Sequence, residues 1–225
     1  MIQSTNNLIS TGHAVIAFSA LIAADLLFYY QVEIIRNVKI FKENQLLENM
    51  QALLIFIAGL SYAQAVLYVR KCHRLLPLGG ALLSVSFLLR ELDVEKFDVP
   101  RWVAFLFGSG IGRNTLLVCL WLMLAVFLVK NHKHCLPVAL GLLTHRTGLF
   151  AILCGLLLII GSLFENQVFN VETYQFYEEL AEMNGYYFLL LSSLNLYLDL
   201  AQRAKPENFI ENPAGYPDQI SRSGD

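Results

Sequence analysis

The chain has 225 residues, of which 56% are hydrophobic and 15% charged, with a net charge of −2 and a mean hydropathy of +0.53. Soluble domains carry about 25% charged residues, and one core does not need several separate apolar runs of about 20 residues each. The composition excludes an ordinary soluble domain and a basic nucleic-acid-binding surface.

The N-terminal MIQSTNNLISTGH contains no Lys or Arg. It lacks the positive start of a cleaved signal peptide, so the apolar run after it is expected to remain as a first membrane helix, residues 14–30. A second apolar run covers 51–69, and a third, shorter one covers 75–89. PRWVAFLFGSGIG, residues 100–112, is too short to span, and Gly108, Gly110 and Gly112 break it from the next apolar run. It reads as an interfacial helix with Trp102 at headgroup depth. Further spans come at 115–129, 147–164 and 186–200, with a basic loop KNHKHCLPVALGLLTHR between the fourth and fifth. The fold expected is all-α, a polytopic bundle of about six transmembrane helices forming one domain over residues 1–205. Residues 206–225 hold three of the six prolines and read as a loose cytoplasmic tail.

Six spans put both termini on one face. That face has nine Lys and Arg against seven on the other, concentrated in short loops, while residues 165–185 on the other side contain none. The positive-inside rule makes the terminal face cytoplasmic and the chain an inner (plasma) membrane protein.

Twelve of the eighteen acidic residues fall on the opposite, periplasmic face. The positive-inside rule does not demand this, because Asp and Glu contribute little to topology. They gather at three junctions: KENQLLENMQALLIF leading into the second span, FLLRELDVEKF leaving the third, and FYEELAEMNGYYFLL leading into the sixth. Glu43, Glu48, Glu178 and Glu182 suit helix N-termini, and Glu178 and Glu182 share a helix face. Glu91 and Asp93 come at a C-terminus, the unfavourable end for an anion. Asp25 stands inside the first apolar run. A carboxylate there needs a partner, a proton or a polar interior. Tyr29, Tyr30, Tyr186 and Tyr187 read as part of an aromatic belt at this interface.

These residues define a candidate site. Glu48, Glu91, Glu182 and Asp25 are its candidate catalytic acids, and Arg90, Arg113 and Asn184 its substrate-binding groups. Glu48, Glu91, Asp93 and Glu182 are its candidate ligands for a divalent cation such as Mg or Ca, since converging carboxylates require a cation or shared protons. The function expected from them is a metal-dependent hydrolase or transferase acting on a lipid headgroup. One alternative is a membrane assembly or partner-binding protein, in which these groups only bridge helices, Arg90 pairing with Glu182. Another is a proton- or ion-coupled transporter using Asp25, with a polar path through Tyr62 and Asn195 to Asp199. The partners expected are the lipid bilayer and another membrane protein.

The remaining chemistry is sparse. The four cysteines show no C-x-x-C spacing and read as small hydrophobes. His132, His134 and Cys135 could take a soft metal but read first as part of the basic flank. Gly108–Gly112 is no phosphate-binding loop, because no Lys-Ser/Thr comes after it. Gly79, Gly80, Gly155 and Gly161 read as close-packing positions.

Overall fold

The computed structural model describes residues 11–37, 46–69, 74–92, 94–96, 98–108 and 110–203. Of the described residues 87% are helical, and none is in a strand. The helices are α1 (Thr11–Tyr29), α2 (Leu46–Tyr68), α3 (Leu75–Glu91), α4 (Arg101–Phe107), α5 (Ile111–Lys130), α6 (His132–Leu143), α7 (Arg146–Glu165) and α8 (Tyr174–Arg203). A π-helical turn, Tyr30–Ile34, prolongs α1, and Arg36 at φ 61° ends it.

Four helices are long and apolar enough to cross a membrane: Val15–Ile34, Leu46–Tyr68, Ile111–Lys130 and Arg146–Glu165. Their surfaces agree with their composition. In α5 only Gly112 and Leu124 are buried, so Val118, Leu122, Met123 and Val129 face outward. Exposed apolar surface on this scale is stable in hydrocarbon rather than in water.

Side-chain contacts give the helix directions. Gly59 lies against Ser84, and Gly80 against Tyr62, so α2 and α3 are antiparallel. Gly161 meets Glu182 while Thr147 meets Ser192, so α7 and α8 are antiparallel. Gln51 reaches Glu179 and Tyr62 reaches Ser192, so α2 and α8 run parallel. The pairs Asp25–Asn184 and Glu33–Thr173 set α1 antiparallel to α8.

The middle of the molecule is α8, and its sequence suits that place. It has 30 residues, about 45 Å at 1.5 Å per residue, more than the roughly 30 Å hydrocarbon layer. Its Tyr186, Ser192, Ser193 and Leu189 are buried by protein. A helix enclosed by other helices can carry Ser, Asn and Tyr because its neighbours, not lipid, cover it. One core joins Ile55, Tyr62, Phe150, Cys154, Tyr186 and Leu196. A second, nearer the start of α8, joins Phe28, Val32, Leu47, Phe176 and Met183.

Several expectations change in detail. Residues 100–112 do contain a short helix, α4, capped by Pro100, with Trp102 exposed. Gly112 however belongs to α5, where the Phe105 carbonyl occupies the space of a Cβ. The basic loop after α5 is largely helix α6, which accommodates Pro137 inside it. Its Lys and His residues had masked the helical apolar spacing of Leu136, Ala139, Leu140 and Leu143. Of the glycines, Gly80 and Gly161 do sit against neighbours, whereas a Cβ on Gly155 would meet nothing within 4 Å. The segment 206–225 lies outside the described residues.

Candidate functional site

The RELD segment closes α3, and its first two residues turn into the bundle. Arg90 is the centre. Its Nη2 lies 2.9 Å from Glu91 Oε1 and 2.6 Å from Glu182 Oε2. The same nitrogen donates to the Tyr186 hydroxyl at 2.9 Å, and Nε donates to Glu91 Oε1 at 3.0 Å. Tyr186 in turn donates to Glu91 Oε1 at 2.9 Å. Two helices thus bring two carboxylates, a phenol and a guanidinium into mutual contact. The acids are mostly covered, their side chains 9% and 12% exposed, while that of Arg90 is 50% exposed.

Local sequence explains the geometry. Glu178, Glu182 and Tyr186 recur every four residues, so they line one face of α8. Gly161 on α7 allows the Glu182 stem to lie close, since a Cβ there would come 3.1 Å from Glu182 Cγ. At the end of α3, Arg113 Nη1 donates to the Leu89 carbonyl at 2.7 Å. Two cations at a helix C-terminus, Arg90 and Arg113, offset the unfavourable position of Glu91.

The network holds one positive charge against two carboxylates, and more acids flank it. Glu178 and Glu179 lie in the first turns of α8, ahead of its apolar stretch. Burial pushes Glu178 up to about 7, the charges of Glu182 and Glu165 adding to it and Arg90 opposing it. Burial likewise raises Glu179 to about 7, against the lowering effect of its hydrogen bond from Gln51. Gln51, fully buried on α2, donates through Nε2 to Glu179 Oε2 at 2.8 Å and to its carbonyl at 2.9 Å. Its Oε1 is buried without a partner.

Of the residues singled out in the sequence, Arg90, Glu91 and Glu182 therefore come together. Asp25 and Asn184 form a separate pair, with Asn184 Nδ2 3.2 Å from both carboxylate oxygens. Arg113 braces α3 rather than joining the carboxylates directly. Glu48 stands half-buried in the first turn of α2, and from the next turn Gln51 reaches Glu179 of α8. Asp93 lies outside the described residues. Sequence reasoning missed Tyr186, which reads as an aromatic-belt residue, and the pairing of Gln51 with Glu179. The four-residue recurrence through Glu178, Glu182 and Tyr186 was the signal for the first of these.

No group of three or more His, Cys, Asp or Glu side chains among the described residues is placed to hold a metal ion. A hard cation needs several oxygen ligands, and in this structure Glu91 and Glu182 give theirs to Arg90. The arrangement is suited to holding an anion at the exposed side of Arg90 and to exchanging protons through the flanking acids.

Deeper in the bundle, Tyr62 donates to Ser192 Oγ, and Ser192 donates to the Thr147 carbonyl, each at 2.9 Å. Asn195 Nδ2 is buried without a partner. Buried Phe188 and Leu189 separate these groups along α8 from the pair Asp25–Asn184. Comparison with protein families, with curated proteins and with solved structures finds no match for the chain.

Proposed function

We propose that the chain crosses the inner membrane six times with both termini in the cytoplasm, and that the Arg90 network is a periplasmic site for hydrolysis or transfer at a lipid headgroup. Arg113 at Leu89 and Trp121 at Ser86 set α5 antiparallel to α3, and the alternating directions of α1, α2, α3, α5, α7 and α8 support the span count. Enclosure of α8 by α2 and α7 accounts for its low hydropathy. The basic residues near α5, α6 and the start of α7 support the orientation.

One observation carries the functional reading. Two carboxylates and a phenol from different helices converge on a single arginine whose side chain stays half exposed. Arg90 would hold a phosphoryl oxygen. Glu178, with a proton affinity near neutrality, would take the proton of the attacking water or acceptor hydroxyl as its oxygen bonds phosphorus, and return it to the departing oxygen as the old P–O bond breaks. Glu182 and Tyr186 would fix the guanidinium. A divalent cation such as Mg or Ca would act as an added electrophile only if Glu91 and Glu182 exchanged Arg90 for it. The transporter reading is weaker, because Phe188 and Leu189 interrupt the polar groups on α8.

The test is turnover by the purified full chain in mixed micelles of defined phospholipids, with products identified by mass spectrometry, with and without EDTA. Headgroup release or exchange that falls at least about tenfold in both R90Q and E178Q supports the site. Loss of turnover with EDTA would show that the metal belongs to it. If no phospholipid is converted by the wild type, the network is an interhelical bridge, and the partner-binding reading takes its place.

A further inference from the structure

At the end of α3 away from Arg90, α5 stands off and leaves a cavity of about 680 Å³ between the two helices. Leu75, Leu78 and Leu82 of α3 and Leu120, Met123 and Phe127 of α5 form its walls. Arg74 and Asn131 stand together at one end, and Val85 lies at the other. We propose that this cleft binds one anionic phospholipid, with an acyl chain between α3 and α5 and the phosphate on Arg74.

Length, charge and setting agree. From Arg74 to Val85 the cleft runs along eleven residues of helix, about 16 Å, close to the roughly 15 Å of one leaflet's hydrocarbon. One wall is α5, a helix apolar enough to span, so the cleft is at acyl-chain depth. Arg74 is exposed, and its Nε donates to the Val69 carbonyl at 2.9 Å, which holds the guanidinium at the mouth. Lys130 and Lys133, exposed at the junction of α5 and α6, flank Asn131 in the sequence. A cleft without charge along its walls and basic at one end is complementary to a lipid whose only charge is a negative headgroup. This site is independent of the Arg90 network and stands whether or not that network is catalytic.

The test uses the full chain, purified in mild detergent, stripped of lipid and then given equal phosphatidylglycerol and phosphatidylcholine. Native mass spectrometry reads the lipid retained per chain. The wild type should retain one phosphatidylglycerol in preference to phosphatidylcholine by about tenfold. R74Q should bring that preference to near parity, and R74K should keep most of it. Ala81 also lines the cleft, so Ala81→Leu narrows it and should lower retention of both lipids. Val85→Phe, at an exposed position at the far end, serves the same purpose if the first variant does not fold. The proposal is overturned by a wild type that retains neither lipid, by a preference unchanged in R74Q, or by a stable dimer that excludes lipid from the cleft.

Discussion

Arg90 faces two carboxylates with a single charge, and that ratio decides what substitutions there do. Removing it leaves Glu91 and Glu182 covered and without their cation, which is more costly than losing a surface pair. A double-mutant cycle between Arg90 and Glu182, using R90Q and E182Q, should give a coupling of about 1–3 kcal/mol. The pair Arg36–Glu33 is a built-in control: it is 3.7 Å apart with the Arg36 side chain 72% exposed, and should couple by less than about 0.5 kcal/mol. Thermal unfolding in one detergent measures both cycles, and equal couplings would remove the argument that burial makes the network special. At this scale the sequence was legible in part. Arg90, Glu91 and Glu182 stood out because acids are conspicuous beside apolar runs. Tyr186 did not, because tyrosine at a membrane boundary is ordinary. Gln51 did not, because a neutral amide gives no charge pattern, and only the fold brings it to Glu179.

Helices were legible wherever lipid dictates their composition, and less so where protein does. Most of the α5 surface is apolar and exposed, as hydrocarbon demands, so α5 advertises itself. The start of α8 is acidic and its interior polar, so only its second half was visible as an apolar run; contacts with α2 and α7 stabilise the remainder. α6 was hidden because Lys and His at its start read as a loop. Close packing between helices can be tested at glycine. A Cβ on Gly80 would come 2.6 Å from the ring of Tyr62, which is 6% exposed and tied by its hydroxyl to Ser192. The ring has nowhere to go, so Gly80→Ala should destabilise the fold by about 1–3 kcal/mol through overpacking. Gly155→Ala, with open space around it, should be neutral or slightly stabilising. The two thermal midpoints, measured side by side, check the α2–α3 contact; a Gly80→Ala protein as stable as Gly155→Ala would place α3 further from α2.

For the molecule as a whole, the acids at the start of α8 predict how stability varies with pH. Glu178 and Glu179 are raised to about 7 in the folded chain, against about 4.3 for an unfolded glutamate. Between those values the folded state keeps protons that the unfolded state has released. Where the native state binds more protons, stability falls as pH rises. The stabilisation from these two groups is therefore complete below about pH 4, declines through the window up to about pH 7, and is lost above it. Both side chains are partly exposed, so solvent moderates the size of the effect without changing its sign. The thermal midpoint in detergent should drop between pH 5 and pH 8. In E178Q/E179Q, which keeps an acceptor for Gln51 but cannot titrate, the slope should flatten, and the variant should gain on the wild type most at pH 8. A midpoint that rises over this range, or a slope that the double variant leaves unchanged, would show that the α8 acids are fully solvated when folded. Their proximity to Arg90 would then no longer supply a group with proton affinity near neutrality, and the headgroup chemistry would lose its base.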